Sequence, residues 1–148
     1  MRVLTSLLYI LFGLVAAYII LEVSGMVLHT RYPVIVVVSC SMYPELNRGD
    51  LVVVSGAQSY SPGDVIVYRS ERKAFPIIHR VIEVRDGEVL PKGDNNVAPD
   101  GWIPVDRIYG KMVFKIPALG WPKILLMKLT GQINEPLELC TYWYSRQV

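Results

Sequence analysis

The chain has 148 residues, enough for one domain with a modest core. A net charge of +2 is too small for a nucleic-acid binder, and no nucleic-acid partner is expected. Hydrophobic residues make up 52% of the chain, high for a soluble domain, and the excess is gathered near the N-terminus.

Arg2 and Glu22 bracket nineteen uncharged residues, Val3 to Leu21. As a helix they span about 28 Å, close to the hydrocarbon thickness of a bilayer. The run has no polar face, which argues against a buried helix of a soluble protein. A cleaved secretory signal competes, because small residues occur between Gly13 and Ala17. The apolar stretch continues through Ile20, longer than the usual core of such a signal. The reading is an uncleaved signal-anchor over residues 1–24. Arg2 and the terminal amine lie on one side and Glu22 on the other, which puts the N-terminus in the cytoplasm and the remainder outside.

Residues 25–116 read as a β-rich domain. After a short linker ending at Pro33, Val34–Val38 is a β-branched run and a first strand. It leads into Ser39-Cys40-Ser41-Met42-Tyr43-Pro44, two hydroxyls at a strand end on backbone stiffened by proline. These serines are either ordinary loop hydroxyls bonded to local backbone or a rigidly held nucleophile. Further strands are expected at Leu51–Val54, Val65–Tyr68 and Ile77–Val84, with a hairpin turn at Asp86-Gly87 and a return at Val89-Leu90. A polar loop follows from Lys92 to Gly101, then β-rich sequence from Val105 to Ile116, interrupted at Gly110. Short, closely spaced strands without a helical period between them predict a mainly β fold, a partly open, folded-over sheet or barrel.

The tail, residues 117–148, has no apolar piece long enough to span a bilayer. Its lysines with Trp121, Tyr142, Trp143 and Tyr144 suit either a headgroup interface or a short helix packed on the sheet. Cys40 and Cys140 make neither a CxxC pair nor a disulfide framework. Two unpaired thiols are expected, although one bridge is open to them outside the cytoplasm. The cysteines and histidines show no zinc-ligand spacing, and no metal or cofactor is expected.

A serine hydroxyl needs a neighbouring base to become a nucleophile. His29 lies in the linker, whereas His79 lies on an apolar strand that can fix an imidazole, on the face of Ile77 and Val81. Alone it reads equally as a satisfied core histidine. Asp94 and Asp100 are the carboxylates available to orient it; Asp50 and Asp64 read as turn residues.

Five segments now combine: Ser-x-Ser-Met-x-Pro, Arg-Gly-Asp-Leu, Gly-Asp-Val-Ile-Val-Tyr, Ile-x-His-Arg-Val and Lys-Gly-Asp-Asn-Asn, in this order between Ile35 and Asp100. Together the chain resembles type I signal peptidase. Histidine at position 79, where the usual bacterial pattern has lysine, resembles the archaeal and endoplasmic-reticulum branch. The resemblance implies that Ser41 is the nucleophile, His79 the general base and Asp100 the aspartate assigned to catalysis. Asp94 corresponds to a second important aspartate, and either one is a candidate to contact His79. Ser39 and the Ser41 amide correspond to the oxyanion hole. Val36, Val38 and Met42 are expected to bind an extended substrate by strand addition. Cys40 replaces a residue that is commonly glycine. The implied partners are signal peptides of secretory preproteins, the lipid bilayer, and other subunits of a processing complex or the translocon. The implied location is the cell membrane or the endoplasmic-reticulum membrane, with a single pass. A histidine base implies activity rising through the ordinary imidazole range, about pH 6.5. Self-cleaving repressors share the serine-led fold but use a lysine base. The alternative from another class is a membrane-anchored β-domain that binds or scaffolds without catalysis.

Overall fold

The computed structural model describes residues 2–71, 75–133, 137 and 140. Tyr142, Trp143 and Tyr144, expected at a headgroup interface, lie outside the described residues. The elements are α1 (Arg2–Val27), β1 (Val34–Val36), β2 (Leu51–Ser55), β3 (Val65–Tyr68), β4 (Ile77–Arg85), β5 (Glu88–Lys92), β6 (Ile103–Pro104), a 3-10 turn (Val105–Arg107), β7 (Ile108–Ile116) and α2 (Trp121–Leu129).

The seven strands form one antiparallel sheet, ordered β1-β2-β7-β3-β4-β5-β6 and curved into a half-barrel. The mainly β expectation holds. β7 inserts between β2 and β3, so the last strand joins the first two strands to the β3–β6 meander. Alternation in β2 turns Val52 and Val54 inward, both fully buried. β3 is buried along its whole length because it packs on both faces. One face joins Met42, Leu46, Val52, Val54, Val65, Val67 and Ile78 in a core cluster. The other joins Ile66 and Tyr68 to Val81 and Val89.

β1 is shorter than the run that predicts it. Pairing with β2 covers Val34–Val36, and Val37 then turns into the core. Its N–H donates to Asp50 O at 2.9 Å and its carbonyl accepts from Gly49 N–H at 2.9 Å. The Asp50 carboxylate accepts from Asn47 N–H at 2.9 Å and Ala118 N–H at 3.1 Å, holding the turn before β2. The Val105–Ile116 stretch divides into the 3-10 turn and β7, and Gly110 lies within the strand. A side chain at Gly110 would run into Ser55 O, so the close approach of β2 and β7 there requires glycine.

α1 has no buried side chain and runs past residue 24 to Val27. Among the described residues it is the one helix long and apolar enough to cross a membrane. Its end is tied to the sheet by Gly56 N–H donating to Leu28 O at 2.7 Å and Thr30 Oγ1 donating to Tyr109 O at 2.8 Å. In the tail, α2 packs through Ile124, fully buried, and through Trp121, whose indole lies against Gly49. Leu125, Leu126 and Leu129 remain exposed.

The expectation of unpaired thiols is corrected: Cys40 and Cys140 form a disulfide across a sequence separation of 100. Both are buried, and the fold brings them together although neither local sequence signals a pair. Closing a loop of this length removes enough freedom from the unfolded chain to contribute about 4–5 kcal/mol. Cys140→Ser in the full chain is therefore expected to lower the denaturant midpoint well below that of the oxidised protein. Dithiothreitol on the wild type should give the same loss. Equal midpoints under all three conditions would show that the bridge does not contribute.

Candidate active site

Three elements converge at one end of the half-barrel. β4 supplies His79, which pairs with Ile66 of β3 and is 5% exposed. The turn after β1 supplies Ser39 and Ser41. The loop between β5 and β6 supplies Asp100, whose N–H donates to Pro91 O at 2.9 Å. The apolar neighbours of His79 are what the sequence shows; the partners of its ring come from 38 residues before it and 21 after it.

His79 Nε2 lies 3.1 Å from Ser41 Oγ. Its Nδ1 is hydrogen-bonded to Asp100 Oδ2. Ser39 Oγ and Ser41 Oγ are 3.2 Å apart, within bonding reach of each other. Tyr68 donates its hydroxyl to Asp100 Oδ2 at 2.8 Å. Burial, and then the hydrogen bond to Asp100 and its charge, push the Tyr68 phenol well above its ordinary range. The result is a continuous chain from Ser41 through His79 to Asp100 and Tyr68. Its chemistry is that of a hydroxyl with a base on one side and a carboxylate behind the base.

Between the two aspartates left open by the sequence, the contact with His79 is made by Asp100. Asp94 instead receives a bidentate pair from Arg80, Nε to Oδ1 at 2.9 Å and Nη2 to Oδ2 at 2.8 Å. These hydrogen bonds raise the Arg80 guanidinium further, against some loss of solvation. His79 and Arg80 are adjacent, so strand alternation sends their side chains, and hence the two carboxylates, to opposite sides of β4.

The segments around the serine turn act on its backbone. Arg48 Nε donates to Val38 O at 3.0 Å. Asn95 N–H donates to Ser41 O at 2.9 Å, and Asn95 Nδ2 to Cys40 O at 3.3 Å. A side chain at Gly93 would meet Ser41 O at 2.6 Å and the Asn96 amide at 2.8 Å. Gly93→Ala must therefore shift the backbone that carries Ser41. It is expected to cost about 10²-fold in kcat/KM, the scale of a misplacement near 1 Å, together with some loss of stability. Wild-type turnover in Gly93→Ala would show that the contact does not hold the serine in place.

The serine turn borders a cavity of about 590 Å³ that reaches from β1 to the start of β4. Val36 and Val38 line it, with Ser39, Ser41, Tyr68 and His79. Met42, expected beside the substrate, is fully buried in the core beneath the turn, so it supports the turn from below. The local reading of the sequence missed Tyr68 and Asn95. Alternation along β3 and β4 puts Tyr68 on the face of His79, the one signal that could have found it.

Residues 17–113 match the Peptidase S24-like family. The signal peptidase complex catalytic subunit SEC11 of Eremothecium gossypii is 34% identical over 138 residues, covering 83% of this chain and 83% of that protein. The SEC11 subunit of Clavispora lusitaniae is 36% identical over 102 residues, 66% of this chain and 61% of that protein. The corresponding subunit of Dictyostelium discoideum is 29% identical over 131 residues, 78% and 73%. A serine, a histidine and an aspartate linked at a cavity on a β half-barrel accord with these matches, and the chain belongs to the Peptidase S24-like family, as a type I signal peptidase of the branch that includes the SEC11 subunits.

Proposed function

We propose that this protein is a membrane-anchored serine endopeptidase that removes signal peptides from secretory preproteins after small residues. The observation that carries the reading is the approach of His79 Nε2 to Ser41 Oγ, 3.1 Å, with Asp100 on the far ring nitrogen, beside an open cavity. His79 takes the Ser41 proton as Oγ attacks the scissile carbonyl, and Asp100 stabilises the imidazolium that forms. The Ser41 amide and the Ser39 hydroxyl receive the oxyanion, each such donor being worth about 2.7–4 kcal/mol of barrier. His79 then gives its proton to the leaving amine. It next activates the water that releases the acyl group from Ser41.

The substrate adds to the edge of β1, which among the described residues pairs with β2 alone, so backbone hydrogen bonds supply register without reading sequence. Side chains alternate into the space between Val36, Val38 and Ile77, where small residues fit. α1 crosses the membrane once with its N-terminus in the cytoplasm, so the β-domain faces the extracytoplasmic or luminal side. Confining enzyme and signal peptide to one bilayer raises their effective concentration. The relatives are named as subunits of a complex, which supports further subunits as partners here.

The test is cleavage of a preprotein by the full chain in liposomes, with product masses read against a Ser41→Ala control. Cleavage at one bond after small residues, absent in the control, is the expected result. A folded wild type that leaves every preprotein intact would sink the reading in favour of a binding domain.

A further inference from the structure

Tyr68 closes β3 with 1% of its surface exposed, in a position where an all-carbon ring would fill the core equally well. Its hydroxyl does not point to solvent or to backbone. It donates to Asp100 Oδ2, the same oxygen that His79 Nδ1 contacts. Two features of the fold aim it there. Ile66 pairs with His79 and Tyr68 with Ile77, so Tyr68 and His79 share a face, their ring centroids 6.4 Å apart. The β3–β7 register shifts by one residue between Val67 and Tyr68, an irregularity of the kind that redirects a side chain at a strand end.

Asp100 gains a strand-held donor in Tyr68. It belongs to the polar loop between β5 and β6, and its carboxylate is 24% exposed in contrast to the buried imidazole it meets. Rotation of the carboxylate would present its other oxygen to the ring. A buried donor on a strand removes that freedom, and the low dielectric around it strengthens the bond.

We propose that Tyr68 is a positioning residue of the proteolytic site, fixing the Asp100 carboxylate so that one oxygen faces His79 throughout turnover. The inference rests on the serine-peptidase reading and adds a fourth member behind the three linked groups. Tyr68 acts through Asp100 and His79 and does not itself meet the scissile bond. Its phenol stays protonated, as burial and the adjacent carboxylate require, so it remains a donor across the working range. Arg69, Glu71 and Arg107 border the same cavity. They are common to wild type and variant and drop out of the comparison.

The test is Tyr68→Phe in the full chain, which keeps the ring and deletes the donor. In the cleavage assay kcat is expected to fall on the order of 10- to 100-fold, the loss of one hydrogen bond to a charged group, with KM unchanged. In an Asp100→Asn background the same substitution should cost little more. A 3-fluorotyrosine at position 68 keeps shape and donor and should retain wild-type kcat, which separates the hydroxyl from any defect in packing. Unchanged kcat in Tyr68→Phe, or an undiminished loss in the Asp100→Asn background, would overturn the proposal.

A second arm does not depend on cleavage. In Ser41→Ala protein, the His79 Nδ1 proton is followed by NMR with and without Tyr68→Phe. Movement of that resonance supports the positioning role even if no preprotein is cut. An unmoved resonance would refute it whatever the activity.

Discussion

Ser41→Ala and His79→Ala are each expected to lower kcat/KM for a preprotein by about five orders of magnitude, and the double variant by no more than either alone. In the proposed mechanism the two side chains perform one step. Without His79 the Ser41 proton has no acceptor at 3.1 Å, and without Ser41 the imidazole has no nucleophile to activate. Each deletion leaves the proposed oxyanion donors and the β1 edge in place, so a residual rate is expected with KM little changed. Neither deletion should unfold the protein. Ser41 is only partly buried, and the core beneath it is held by Met42 and Leu46, both fully buried. The measurement is a double-mutant cycle on kcat/KM with denaturation curves for all four proteins. Losses that multiply would mean that the two residues act in separate steps, and the mechanism above would fail.

The second large effect separates the two aspartates. Asp100→Asn is expected to cost about 10⁴-fold in kcat, because an amide facing Nδ1 favours the wrong tautomer and carries no charge to stabilise imidazolium. Its unfolding should be near wild type, since the substitution keeps shape on an exposed loop. Asp94→Asn is expected to show the opposite pattern. It breaks the bidentate pair with Arg80, whose side chain is 31% exposed, so the stability cost is about 1 kcal/mol and most of the rate survives. Steady-state kinetics and urea unfolding of both variants give the comparison. If Asp94→Asn silences the protein while Asp100→Asn retains its rate, the orienting role belongs to Asp94 and the Asp100 contact is incidental.

Much of this protein is legible before any coordinates. Nineteen uncharged residues bounded by Arg2 and Glu22 announce α1, because helix length and bilayer thickness are the only quantities involved. β3 occupies Val65–Tyr68 as expected, since a β-branched run between Ser61-Pro62-Gly63-Asp64 and a polar segment has few other options. Asp86-Gly87 joins β4 to β5, with Gly87 in the left-handed region that such a turn requires. These are local matters, decided by periodicity and by the dihedral preferences of a few residues.

The site was legible by residue type and order but not by contact. Ser41, His79, Asp94 and Asp100 could be singled out, yet spacing along the chain does not distinguish an aspartate facing His79 from one facing Arg80. That choice follows from alternation on β4 and from the anchoring of Asp100 to Pro91. The same limit hid the Cys40–Cys140 bridge, since pairing over 100 residues depends on where the chain returns after α2 begins. It also hid the burial of Met42, in a core cluster to which three strands contribute Val52, Val65 and Ile78.

The hydropathy pattern alone therefore settled that an apolar helix precedes a β-domain, and the segment order settled its family resemblance. Which oxygen meets which nitrogen was settled by the sheet. Inserting β7 between β2 and β3 sets the strand order on which the converging loops depend, and register on β3 and β4 sets the faces of Tyr68 and His79. Hydrogen bonds act over about 3 Å, so the linkage of Ser41, His79, Asp100 and Tyr68 exists only once strands far apart in sequence have been brought side by side.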